Sequence, residues 1–176
     1  MRAAAPTSPL GRVTAAAVLA VTALTLSACG ANTLQERAKP TITLDQAKTR
    51  IDGYLAAIQA RLPVQATSLP PAYSDLECDA NDIGPHGRRQ SSRGYDFGDV
   101  SSDVKAKTVT DYRTYLTGQG FQAVPDAAGS HPDWVRMKNP QDGFLAILNG
   151  TSDSSHDLTL QVSSPCVWPD GTPPPK

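Results

Sequence analysis

Apolar residues at Leu44, Ala47, Ile51, Tyr54, Leu55, Ile58 and Leu62 recur at the i, i+3, i+4 spacing of one helical face, and Pro63 ends the run. Thr43, followed three residues later by Gln46, is the signature of a capping box, so the spacing predicts a helix over 43–62. A heptad seam can be read into the same positions, but fewer than three heptads and the internal Gly53 favour packing of this helix on its own domain. Residues 63–72 hold Pro63, Pro70 and Pro71 and no periodicity, which reads as an extended crossover. A second helical stripe, Val104, Val109, Tyr112 and Leu116, follows the capping residues Ser101 and Ser102 and is ended by Gly118 or Gly120.

Around and after these helices the period changes from 3.6 to 2. Strands are expected at 73–78 and within 88–97, then at 121–124, 134–138 and 144–148, and finally along Leu158, Leu160 and Val162. Asn139-Pro-Gln-Asp-Gly143 is a turn between two of them. The order is helix, two strands, helix, then four strands in a meander. Connections this short exclude parallel crossovers, so the pairing is antiparallel. Two amphipathic helices need a common apolar surface, and only the sheet offers one. The expected class is therefore α+β, an antiparallel sheet with two helices packed on one face, without internal repeats.

Ahead of the first helix the chain has another character. Arg2 and Arg12 precede an apolar or small-residue run over 13–26, which closes in Leu26-Ser27-Ala28-Cys29. As a helix the run spans roughly 21 Å, against ~30 Å for a bilayer's hydrocarbon core. A permanent transmembrane anchor is thus the weaker reading. The block resembles the bacterial lipoprotein signal and its lipobox. That resemblance implies diacylglyceryl transfer to the Cys29 sulfur, cleavage just before Cys29, and acylation of the new amino group by a fatty acid such as palmitate. Arg2 and Arg12 stand apart and do not form a twin-arginine signal. In its Ala- and Pro-rich style the chain resembles small lipoproteins of high-GC actinobacteria, many of which have no assigned function. The resemblance implies a compartment, the extracytoplasmic face of the cell membrane, and no active site. The expected division is a signal peptide over 1–28, a flexible tether over 29–40, one domain over 41–168 and an unpacked Pro-rich tail over 169–176.

Composition refines this picture. Of 176 residues, 13 are Gly and 15 Pro and 6% are aromatic, a loop-rich chain poor in the rings that line deep apolar pockets. Removal of residues 1–28, which hold Arg2 and Arg12 and no acid, leaves 14 basic against 17 acidic residues, so no nucleic-acid footprint is expected. With Cys29 assigned to lipid, Cys78 and Cys166 remain, and an exported chain pairs them. Both are expected to be largely buried. Two free buried thiols are the alternative.

The most site-like stretch is the loop from Asp79 to Arg89. Asp79-Ala-Asn81-Asp82-Ile83-Gly84 echoes the start of a calcium loop, but Ile83 stands where a ligand is needed and Gln90 where a bidentate Glu is needed. No metal is expected. Asp79, Asp82, His86, Arg88, Arg89 and Arg93 form the candidate binding loop, suited to a phosphate, a carboxylate or anionic headgroups. Asp96 and Asp99, with the two loop aspartates, would neutralise much of it. No catalytic residue is assigned: His86, His131 and His156 fall in loops, and there is no Gly-x-Ser-x-Gly elbow, no Cys-x-x-Cys and no phosphate-binding glycine motif. Cell-wall sugars would need exposed rings. Of Tyr95, Phe97, Trp134 and Trp168, Trp134 on its strand reads as core and Trp168 beside the prolines as exposed. The expected function is a lipid-anchored, non-catalytic binding or accessory module without a cofactor, whose partners are the membrane through Cys29 and an envelope protein or small anionic ligand. The alternatives are an envelope enzyme or enzyme accessory, and a sensor or chaperone-like partner of a membrane protein.

Overall fold

The structure is a computed structural model that describes residues 38–67, 72–80, 84–125, 134–150 and 157–175. The signal segment, Cys29, Asp82, His131 and His156 lie outside the described residues. Helix α1 (Leu44–Gln59) opens with the expected capping box: the Gln46 amide donates to the Thr43 hydroxyl, and the Thr43 amide donates to the Gln46 side chain. It ends three residues sooner than its apolar spacing implies. Pro63 disfavours helical geometry at Leu62, so the chain tightens into i→i−3 bonds from Arg61 to Ile58 and from Leu62 to Gln59, and Leu62 still reaches the core.

Two strands follow, β1 (Ser74–Glu77) and β2 (Arg89–Asp99), and then helix α2 (Ser102–Gly118), capped by the Ser101 hydroxyl. Gly120, at φ +84°, turns the chain out of α2, and the Phe121 amide returns to the Leu116 carbonyl. Strands β3 (Gln122–Ala123), β4 (Trp134–Lys138), β5 (Leu145–Gly150) and β6 (Asp157–Ser163) complete an all-antiparallel sheet in the order β1-β2-β6-β5-β4-β3. The α+β class, the two helices and the antiparallel sheet agree with the sequence. The β2–β6 pair brings together strands separated in the chain by α2 and strands β3, β4 and β5.

Alternation along the strands separates the two faces. Val135 and Met137 of β4, Ala146 and Leu148 of β5, and Leu158, Leu160 and Val162 of β6 are buried beneath the helices, with α1 over β2 and β6 and α2 over β4 and β5. From α1, Ile51, Leu55 and Ile58 fill this layer, and from α2, Tyr112 and Leu116. Each fully buried aliphatic side chain contributes roughly 1.5–3 kcal/mol relative to exposure. Among the described residues the opposite face of the sheet carries no helix. No helix among the described residues is long and apolar enough to cross a membrane.

The Cys78–Cys166 disulfide is present, with the Cα atoms 6.0 Å apart. It links the segments on either side of the start of β2, since Glu77 pairs with Arg89 on one side and Val167 bridges Arg89 on the other. Both half-cystines are only half-buried, because they sit at the sheet's end and not beneath a helix.

Beyond Trp168 an unpacked tail was expected, yet the chain stays docked as far as Gly171. The Thr41 amide donates to the Gly171 carbonyl (2.8 Å), and Leu44, whose amide in the first turn of α1 has no helical acceptor, donates to the Pro169 carbonyl (3.1 Å). Trp168 is 6% exposed and Trp134 is 39% exposed, the reverse of expectation. Trp168 donates from its backbone to the Thr41 hydroxyl and from its indole to the Lys39 carbonyl, which closes the C-terminal segment over the end of the tether. Trp134 occupies the helix-free face, which strand alternation alone does not identify.

Candidate functional site

The arginines of the loop expected to bind are spent on one another's neighbours. Arg88 pairs with Asp79 at 3.2 Å and lies over the Trp168 ring. Arg89 pairs with Glu77 at 3.3 Å and donates to the Gly84 carbonyl at 2.8 Å. Arg93 projects from β2 toward α1, where it meets Asp52 at 3.0 Å and covers the Tyr73 ring. The residues thus divide among three structural contacts. Glu77 and Asp52 supply two of the counter-charges, and Asp96 instead accepts from the Gly98 amide. His86 is exposed and faces the proline segment across a hollow of about 490 Å³ bordered by Pro169 and Asp170. Among the described residues no group of three or more His, Cys, Asp or Glu side chains could hold a metal ion.

A second hollow lies between the helices. Arg50, Gly53, Tyr54 and Ala57 of α1 face Tyr115, Leu116 and Gln119 of α2 and its exit, across a cleft of about 430 Å³ that Phe121 and Asp142 close at one end. This volume is within the range of small-ligand sites. Helical spacing places Arg50, Gly53 and Ala57 on one stripe. Gly53 and Ala57 carry almost no side chain, which leaves the space between the helices unfilled here.

Gly53 has no conformational or steric reason to be glycine. It lies mid-helix, its φ is not positive, and a Cβ added to it would meet nothing within 4 Å. Glycine in a helix interior costs about 0.5–1 kcal/mol relative to alanine. This glycine is a local rule broken without structural return.

The polar end of the cleft is pre-organised. The turn Asn139–Gly143 is held by bonds from the Asn139 amide to the Phe144 carbonyl and from the Gly143 amide to the Asn139 carbonyl. Gly143, at φ +79° and against Pro165, completes it. From this turn Asp142 accepts the Tyr54 hydroxyl at 2.6 Å, while Asn139 donates to the same hydroxyl at 3.1 Å. Tyr54 also packs edge-on to Phe121 with centroids 5.4 Å apart. Burial, and next the bond to Asp142, push the Tyr54 phenol above its ordinary pKa, so it remains a protonated donor at neutral pH. Arg50 is half-exposed and only 4.0 Å from Asp142, a loose contact that leaves its guanidinium able to meet an anion at the rim.

The low aromatic content argued against an apolar pocket, but Tyr54, Tyr115 and Phe121 converge on this one cleft. Helical periodicity assigned Tyr54 to the core face, and nothing in the spacing reveals its partnership with Asp142, 88 residues away. The unexplained Gly53 was the available signal. Comparison with known proteins finds no match among family models, curated proteins or solved structures.

Proposed function

We propose that the chain is a lipid-anchored extracytoplasmic binding module, tethered through Cys29, that takes a small ligand with an apolar body and an anionic head into the cleft between α1 and α2. The observation that carries this reading is the cleft left unfilled at Gly53, with an apolar wall at Leu116 and Phe121 and Arg50 at its rim. The Tyr54 phenol, raised above its ordinary value, stays protonated, and as a fixed donor beside Asp142 it orients the wall of the site.

The cleft is tested with the anionic fluorophore anilinonaphthalene sulfonate. Wild-type protein is expected to bind one equivalent with enhanced emission, Gly53→Leu to lose that site by filling it, and Arg50→Gln to weaken it about tenfold. Gly53→Ala should bind, and should raise the unfolding free energy by about 0.5–1 kcal/mol. Unchanged binding in a folded Gly53→Leu protein would move the site elsewhere.

The anchor is tested by detergent-phase partitioning. The lipobox makes Cys29 the acceptor, so wild type is expected in the detergent phase and Cys29→Ser in the aqueous phase or retained as precursor. Processed, detergent-partitioning Cys29→Ser protein is the outcome that removes the lipid assignment.

A further inference from the structure

The helix-free face of the sheet carries a second constellation. Residues two apart on a strand project the same way, so with Val135 and Met137 buried under the helices, Trp134, Arg136 and Lys138 share the opposite face of β4. The register extends them into rows: Trp134 beside Asn149 and Thr159, and Arg136 beside Ile147 and Gln161. Between the rows lies a hollow of about 300 Å³ lined by these six residues. The Trp134 indole donates to the Asn149 side chain, which fixes the ring against the sheet.

Charge is unevenly spread here. The rows that join Trp134, Arg136 and Lys138 of β4 to β5 and β6 hold no acidic residue. The adjoining acids are Asp157, two residues before Thr159 on β6, and Asp96 on β2, opposite Thr159 and three strands from Trp134. Three strands are roughly 14 Å at ~4.8 Å per strand. Neither Arg136 nor Lys138 has an ion pair among the described residues. The Nε of Arg136 is buried and without a hydrogen-bond partner. A shielded donor left unpaired is costly, and a planar guanidinium is best satisfied by a carboxylate that takes two of its N–H groups together.

From the exposed indole, the neutral hydroxyl and amide side chains around it and the unpaired guanidinium two residues away, we infer that this face binds an acidic saccharide. A sugar ring lies on Trp134, its hydroxyls meet Thr159 and Gln161, and its carboxylate meets Arg136. The surroundings favour a saccharide over a lipid surface, because Asn149, Thr159 and Gln161 offer hydrogen bonds where insertion into lipid would require apolar side chains. This surface is separate from the interhelical cleft and does not depend on it.

The test is a titration of the full-length protein, in neutral detergent with tri-galacturonate and with neutral galactotriose and after detergent removal with phosphatidylglycerol vesicles, followed by tryptophan emission and, for the variant without Trp134, by calorimetry. Tri-galacturonate is expected to quench Trp134, and galactotriose to bind at least tenfold more weakly. Arg136→Gln should erase the difference between the two sugars, Arg136→Lys should restore part of it, and Trp134→Phe should weaken both. Melting curves show that each variant is folded, and Gly53→Leu should leave the titration unchanged. Equal affinity for the two trisaccharides, an unaltered Arg136→Gln titration, or binding to the vesicles without binding to tri-galacturonate would each overturn the inference.

Discussion

Reduction of the Cys78–Cys166 disulfide is expected to lower the unfolding free energy by about 4–5 kcal/mol. The two cysteines are 88 residues apart, so the bond closes a loop that takes in β2, α2 and the meander. In the unfolded chain that loop regains its freedom once the bond is cut, and the chain-entropy treatment converts its length into the figure above. The folded state loses less, because Cys78 also donates to the Arg88 carbonyl and Val167 bridges Arg89, contacts that persist without sulfur. The melting temperature should fall on the order of 10–20 °C. Urea denaturation of oxidised protein against a Cys78→Ser, Cys166→Ser variant measures it. A difference below about 1 kcal/mol would mean that the two chain ends are already held together in the unfolded state.

The features legible in the sequence are those set by neighbours in the chain. The capping box at Thr43 and Gln46, the stripe through Ile51 and Leu55, and the helix stop at Gly120 depend on local geometry, and each stands where expected. The pairing of β2 with β6 is different, because no local signal selects which distant strand an exposed edge will accept. The docking of Pro169 and Gly171 on the entry to α1 was likewise hidden. A proline-rich ending reads as unpacked from composition, yet its carbonyls are acceptors like any others, and they meet the amides that α1 leaves without partners.

The two tryptophans show why sites are harder to read than elements. Period-two alternation assigns Trp134 to one face of its strand but does not say which face the helices cover, whereas Val135 and Met137 on the other face decide it in the structure. The arginine-rich loop misled for a related reason. Charge clusters are visible in one dimension, but their counter-charges, Asp52 for Arg93 above all, come from elsewhere in the chain. The cleft was nearly legible, since Gly53 weakens an otherwise strong helix without serving a turn, a cap or a close approach.

Gly94→Ala is expected to destabilise the protein by about 3 kcal/mol, the opposite sign to Gly53→Ala. Gly94 lies in β2, opposite Gln161 of β6. A Cβ there would fall within the van der Waals envelope of the Leu160 carbonyl oxygen and 3.3 Å from the Gln161 Cα. Both are backbone atoms of the neighbouring strand, so no side chain can turn aside to make room. To admit one methyl, β6 must move away from β2, and β6 carries Leu158, Leu160 and Val162, each fully buried under the helices. At an unconstrained strand position alanine would be the better residue, because glycine loses more conformational freedom on folding. Propensity alone therefore predicts stabilisation at both glycines, and the distance to the next strand reverses it at Gly94. Urea denaturation of the two single variants reads the signs directly. A Gly94→Ala protein as stable as wild type would show that β2 and β6 do not approach this closely, and would loosen the support on which both α1 and the Trp134 face depend.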